Sequence, residues 1–317
     1  MKDVELGSGA RIPALGLGTW KSDPGEVGAA IEEAVKIGYR HFDCAAIYGN
    51  EDEIGDALRK CVVDGLVTRE ELWITSKLWN DHHAQGEVEE GLRKTLGDLG
   101  LDYLDLYLVH WPVAHKKGVL GPESADDMIP LEELPLSETW KGMEGVHKAG
   151  LARHLGVSNF SIAKLESLMD GARVVPTMNQ VELHPYLQQQ ALVDWCHAHG
   201  VRVTAYSPLG SQDRVERLKT PGEPVLLDDP VVGEIAGRTG VTPAQVLIAW
   251  ALARGTVVIP KSVNPERMRQ NFAAGRVALT ERDLAQLASV ERARRYIDGS
   301  FWALEGGSYT VANLWNE

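Results

Sequence analysis

The sequence predicts an α/β fold, a closed (β/α)8 TIM barrel, on three observations. Eight short β-branched or leucine-rich runs alternate with longer stretches whose apolar residues repeat at helical spacing. No Pro/Gly/Ser-rich linker separates two halves, as an open doubly wound fold with a second domain would lead one to expect. Several of the apolar runs end in polar, reactive residues, the place where barrel enzymes carry their chemistry. A prior of about 150 residues per domain suggests two domains, but a barrel of this kind uses roughly 250 or more residues as one. Residues 1–317 are therefore read as a single barrel domain.

The elements follow in order. Val4 to Leu6 and Arg11 to Pro13 flank Gly7-Ser8-Gly9-Ala10, which reads as an N-terminal β-hairpin placed to plug the bottom of the barrel. Strands are expected at Ala14 to Leu17, Arg40 to Phe42, Leu72 to Thr75, Leu104 to Val109, His154 to Val157, Thr177 to Val181, Val201 to Ala205 and Thr256 to Ile259. Between them, Val27, Ile31, Ala34, Val35 and Gly38 share one helical face, and so do Val88, Leu92, Leu96 and Leu99. Pro24 reads as a first-turn residue, Ser161 as a cap before Ile162, and Thr242 with Pro243 as the start of the helix containing Val246. Three stretches exceed an ordinary connection: Pro112 to Leu136, Gly210 to Asp228, and the tail from Arg294 to Glu317. The first two follow strands four and seven and so belong to long loops at the C-terminal face.

Composition excludes several classes. With 44% hydrophobic and 24% charged residues the chain is neither disordered nor fibrous. Lys plus Arg total 32 against 45 Asp plus Glu, and the formal charge of -13 argues against a nucleic-acid partner or an anionic membrane surface. Cys44, Cys61 and Cys196 are too few and too far apart for a disulfide framework or a thiolate zinc site, and fit a reducing compartment. No basic n-region and apolar h-region open the chain, and the longest aliphatic run, Val246 to Ala253, is far short of a bilayer span. A cytoplasmic protein with no membrane partner is expected.

The functional signal is positional. His41-Phe42-Asp43 closes strand two with Tyr48 in the following loop, Thr75-Ser76-Lys77 closes strand three, and Leu108-Val109-His110-Trp111 closes strand four. Singly, each has a plain structural reading: Asp43 a turn residue, Tyr48 a loop aromatic, Lys77 a snorkelling lysine, His110 a satisfied core histidine. Together, four titratable groups on adjacent strand ends are costly to bury unless paired, and pairing shifts proton affinities for chemistry. An ammonium at Lys77 beside Tyr48 is expected to stabilise the phenolate and lower the tyrosine pKa from its ordinary value of about 10. Asp43 then offsets the lysine's buried charge, and His110 is placed to hydrogen-bond a substrate oxygen. Such a set suits protonation of an oxygen as charge develops on a carbonyl.

Later strands supply other chemistry. Gly156-Val157-Ser158-Asn159-Phe160, Asn179-Gln180 and Tyr206-Ser207-Pro208-Leu209-Gly210-Ser211 offer amides for a carboxamide and an aromatic face for a planar ring, both of which a nicotinamide presents. After strand eight, Lys261, Ser262 and Arg267 surround a helix start and form a compact phosphate site. Rival signals are weaker. Gly16-Leu17-Gly18 lacks the third glycine of a dinucleotide fingerprint, with Lys21 in its place. His197 and His199 end a helix, and His82-His83 sit in a loop without ligand spacing, so no metal is expected. Of nine tryptophans, Trp73, Trp140, Trp195 and Trp250 read as core, while Trp20, Trp79, Trp111 and the tail pair Phe301 and Trp302 read as walls of an apolar pocket.

At these residues the sequence resembles the aldo-keto reductases, most closely the aldose-reductase-like branch, over essentially its whole length. The segments that carry the resemblance are Gly16 to Trp20, Gly38 to Asp43 with Ala45 to Tyr48, Leu101 to Tyr107 through Trp111-Pro112, Gly156 to Phe160, Asn179-Gln180, Ala205 to Ser211 and Ile259 to Ser262. The resemblance implies a barrel with an N-terminal hairpin that binds NADP(H) across the rim, reduces an aldehyde or ketone with the pro-R hydride, and works as a monomer. By position it implies Tyr48 as proton donor, tuned by Lys77 and Asp43, with His110 orienting the carbonyl. It places Ser158, Asn159 and Gln180 on the carboxamide and Tyr206 against the nicotinamide ring. Lys261, Ser262, Arg267 and Asn271 fall at the adenosine phosphate end, with further cofactor contacts at Gly18, Thr19, Trp20, Asp43, Ser207, Leu209, Ser211, Val263 and Gln270. Substrate contacts are implied at Trp20, Tyr48, Trp79, His110, Trp111 and Trp302. Gln270 stands where aldose reductase has an acidic residue and Asn264 where it has a threonine. A barrel that binds NADP(H) without turnover, as a regulatory or structural protein, is the alternative; a metal-dependent barrel hydrolase or isomerase lacks convergent ligands.

Overall fold

The computed structural model describes residues 3–316. Eight parallel strands form one sheet in sequential order: β1 (Leu17–Gly18), β2 (His41–Asp43), β3 (Trp73–Leu78), β4 (Leu104–Val109), β5 (Ala152–Ser158), β6 (Met178–Glu182), β7 (Arg202–Tyr206) and β8 (Val257–Val258). Parallel bridges Leu15↔Val258 and Gly18↔Lys261 join the first strand to the last and close the barrel. Leucine, isoleucine and valine on the outer strand faces pack against the surrounding helices, with Ile31 and Val35 of α1 (Glu26–Ile37) and Leu58 of α2 (Glu51–Val63) in the same core as Phe42 and Ile74. This is the (β/α)8 architecture expected, with each strand within a few residues of its expected place.

The N-terminal hairpin pairs Asp3–Glu5 with Arg11–Pro13, Val4 opposite Ile12. Leu6 and Ile12 sit in one buried cluster with Trp73, Leu106, Leu108, Met178 and Val257, so the hairpin stoppers the N-terminal end of the barrel. Side chains alternate across a strand. Starting from Trp73 at that stopper, β3 therefore turns Thr75 and then Lys77 inward and delivers the lysine to the opposite rim. β4 continues from Leu106 and Leu108 to His110, and β6 from Met178 to Gln180.

One expected helix start is corrected. Pro24 lies in the turn before α1, which begins at Glu26 behind Gly25 in a left-handed conformation (φ 85°). The capping acceptor comes from another helix: Glu53 of α2 accepts from the N–H groups of Gly25 and Gly28 at 2.9 and 2.7 Å. Ser161 and Thr242 cap as expected, each accepting from the N–H three residues on. The loop 112–136 contains a two-stranded ribbon, Ala114–His115 against Met128–Ile129, and Tyr309 of the tail ties it down by accepting from Ala114 N–H and donating to the Ile129 carbonyl. No helix among the described residues is long and apolar enough to cross a membrane.

Candidate active site

The four strand-end residues meet at the C-terminal rim. Lys77 Nζ lies 2.6 Å from Asp43 Oδ2, 2.7 Å from the Cys44 carbonyl and 3.4 Å from the Tyr48 hydroxyl. Gln180 Nε2 donates to the second Asp43 oxygen at 2.7 Å. Tyr48 sits on a single 3-10 turn, Ala46–Tyr48, between β2 and α2, and its ring stands edge-on to His110 with centroids 5.9 Å apart. Asn50 donates to the Thr19 carbonyl, and the Thr19 hydroxyl to the Asp43 carbonyl, so the loops after β1 and β2 are stitched together beside the tyrosine.

Burial opposes the charge on Lys77, but the adjoining Asp43 carboxylate outweighs it and holds the ammonium above its ordinary range. For Tyr48 the expected direction is corrected. Burial pushes the hydroxyl up to about 12, and the lysine charge only restrains that rise. The tyrosine is therefore a fully protonated donor at neutral pH. Burial, with the Lys77 ammonium as a positive neighbour, drives His110 well below its ordinary value, so it stands as neutral imidazole. Its Nδ1 has no hydrogen-bond partner among the described residues.

The amide cluster is preorganised. Asn159, in a left-handed conformation (φ 65°), donates to the His110 carbonyl at 2.9 Å and to Ser158 Oγ at 3.2 Å and accepts from the Tyr206 hydroxyl at 2.8 Å, while Ser158 Oγ donates to the Gln180 carbonyl. Ser207 and Ser211, both at positive φ, bring their hydroxyls within 2.5 Å around Leu209. At the far end of the cleft Lys261 Nζ donates to the Lys21 carbonyl and Lys21 Nζ to the Asp213 carbonyl, each at 2.7 Å, so loop 210–228 is tied across the rim between β1 and β8. Ser262 is buried and bonded to the Asn264 N–H, Val263 is half-buried, and Asn264 caps α3 (Pro265–Ala273). On that helix Arg267 is exposed, Gln270 donates to Glu266, and Asn271 is buried. A Cβ on Gly18 would come within 2.9 Å of the Ile259 carbonyl, which keeps β1 close against β8.

Aromatic side chains cover His110. Trp79 stands edge-on to it at 5.1 Å, and Trp302 lies 5.9 Å from both Trp79 and Trp111, with Phe301 against Trp111 at 5.6 Å. Trp20 is half-buried, 6.4 Å from the Tyr48 ring. The Trp302 indole N–H is buried without a partner among the described residues. Among the tryptophans read as core, Trp140 and Trp250 are buried and Trp73 stacks on His154, whereas Trp195 is only partly buried and stacks on His199. His83, expected in a loop, is buried beside the pocket, and His82 pairs with Asp81. Among the described residues no group of three His, Cys, Asp or Glu could hold a metal. Three residues given no site role in the sequence reading also shape the rim: Asn50, Lys21 and Glu182. Only Glu182 had a signal in the sequence, two positions past Gln180 and so on the same inward face.

The model of the Aldo/keto reductase family matches residues 14–292. This chain belongs to the aldo/keto reductase family. It is similar to an aldo/keto reductase of Synechocystis sp., 53% identical over 100% of this chain and 97% of that protein, and to human aldo-keto reductase family 1 member A1, 48% identical over 93% of this chain and 90% of that protein. The solved structure of the aldose reductase from Schistosoma japonicum superposes with a TM-score of 0.88 at 38% identity, covering 97% of both chains. Membership makes the chain an oxidoreductase of a family that reduces carbonyl compounds and generally uses nicotinamide cofactors.

Proposed function

We propose that the protein is an NADPH-dependent reductase of aldehydes and ketones in which Tyr48 donates the proton. The observation that carries this reading is the chain Asp43, Lys77, Tyr48 beside a neutral His110. A carbonyl oxygen entering between Tyr48 and His110 meets two hydrogen-bond donors under an aromatic roof. As negative charge grows on that oxygen, the Tyr48 proton moves to it, and the Lys77 ammonium stabilises the phenolate left behind. Asp43 keeps Lys77 charged and in place. The roof of Trp79, Trp111 and Trp302 excludes water and favours apolar aldehydes.

The residues present fit a nicotinamide dinucleotide. Ser158, Asn159 and Gln180 would hold the carboxamide and Tyr206 the ring, with Gly18, Thr19, Trp20, Ser207, Leu209 and Ser211 along the middle. Lys261, Ser262, Val263, Arg267, Gln270 and Asn271 would take the adenosine end, where two cations suit the additional phosphate of NADPH. When bound, the reduced nicotinamide supplies the hydride to the carbonyl carbon. Three buried, unpaired cysteines suit a reducing cytoplasm, and a monomer suffices because one chain supplies the whole site. Tyr48→Phe tests the reading: turnover of an aldehyde panel should fall by at least roughly 100-fold, while NADPH binding, followed by fluorescence, stays near wild type. Retained turnover would remove Tyr48 from its role.

A further inference from the structure

Glu182 ends β6 and is completely buried. Among the described residues no lysine or arginine pairs with it. Its oxygens are filled instead by the His184 ring at 2.8 Å and by two successive tail amides, Tyr296 N–H on Oε1 and Ile297 N–H on Oε2, each at 2.7 Å. A carboxylate held on both oxygens by adjacent amides fixes the direction of the chain that bears them. A few residues on, that chain forms the turn Ser300–Trp302, which sets Trp302 against Trp79 above His110.

Tyr296 also faces the other way. Its hydroxyl donates to the Pro224 carbonyl at 2.7 Å, its ring lies 4.8 Å from the Arg214 guanidinium carbon, and Arg214 and Arg294 converge on Glu223. Pro224, Arg214 and Glu223 belong to loop 210–228, whose Asp213 carbonyl accepts from Lys21 at the cofactor end of the cleft. The segment 294–297 thus joins the loop over the proposed cofactor site to the wall of the proposed substrate pocket.

We propose that Glu182 is a positioning residue of the substrate pocket and that Tyr296 is the joint coupling loop 210–228 to the aromatic wall at Phe301 and Trp302. The proposal rests on the reductase reading above. Glu182→Gln keeps the shape but turns an amide NH2 toward one of the two tail amides, so one tether is lost. The Michaelis constant for a bulky aromatic aldehyde should rise about tenfold, that for a three-carbon aldehyde less than about threefold, and kcat should change less than about threefold, because the proton donor is untouched. Amide exchange over 296–302 should quicken in the same variant.

Tyr296→Phe removes only the bond to Pro224. It should raise both the NADPH dissociation constant and the aromatic-aldehyde KM by about threefold, and should add less than its own effect on KM when combined with Glu182→Gln. Unchanged exchange at 296–302 in Glu182→Gln, or an equal KM rise for both aldehydes, would overturn the positioning role; additive effects of the two substitutions would overturn the joint. If the wild type turns over no carbonyl although it binds NADPH, the reductase reading fails, and the exchange measurement still decides whether Glu182 holds the wall.

Discussion

Lys77 and Asp43 form an ion pair with Nζ 2.6 Å from Oδ2 and at most 3% of either side chain exposed. A pair this dry contributes little net stability, but losing one member strands the other charge. Lys77→Met should cost about 3–5 kcal/mol of folding stability and reduce turnover at least as far as Tyr48→Phe. Asp43→Asn should leave a lysine that loses its charge more readily and therefore a less severe loss. Urea unfolding with parallel aldehyde reduction measures both; a Lys77→Met variant as stable as wild type would mean that the pair is solvated.

Burial fixes the protonation states of the two groups that flank the proposed carbonyl position, Tyr48 and His110. Tyr48, pushed up to about 12, keeps its proton throughout the neutral range, and His110, held well below its ordinary value, stays neutral. The kcat/KM for aldehyde reduction should therefore be flat from about pH 6 to about pH 9. A limb near the ordinary histidine value of about 6.5 would show that His110 titrates and is wetter than its surroundings indicate.

How much of this was legible in the sequence differs by element. The strands and the rim residues that end them were, because period-2 alternation in β2, β3, β4 and β6 keeps one face of each strand inward and so carries Asp43, Lys77, His110 and Gln180 to the same rim. The direction of the Tyr48 shift was not: the neighbouring ammonium can be read from spacing, but the desolvation that outweighs it comes from the surrounding fold. The start of α1 was missed for a related reason, since Glu53 supplies the cap from the next helix. The tether from Glu182 to Tyr296 spans more than a hundred residues, and no local pattern announces it.

Arg267 is exposed on α3 one turn after the Asn264 cap, with Lys261 on the rim before it. In the proposed site these two cations meet the phosphate that distinguishes NADPH from NADH. Arg267→Ala should raise the KM for NADPH by about tenfold or more, the loss of a charge-assisted contact, and change that for NADH by less than about twofold. Equal effects on both cofactors would place Arg267 on the shared part of the dinucleotide.

Glu51 lies behind the proposed catalytic group in the first turn of α2, buried, accepting from Ser76 Oγ at 2.5 Å and Thr95 Oγ1 at 3.0 Å. Burial lifts its carboxyl to about 7 despite those two donors, so the folded protein holds a proton that the unfolded chain releases near 4.5. The sign follows: the contribution of Glu51 to stability is complete below about pH 4.5 and falls as pH rises through about 7, by up to roughly 3 kcal/mol at about 1.4 kcal/mol per unit. Glu51→Gln removes this dependence and adds a constant offset from the altered bonds to Ser76 and Thr95. Between pH 5 and pH 8.5 the variant should therefore gain stability relative to wild type by about 2–3 kcal/mol in urea unfolding. Parallel curves for the two proteins would mean that Glu51 is already ionised in the folded state, and that Ser76 and Thr95 hold it as a carboxylate.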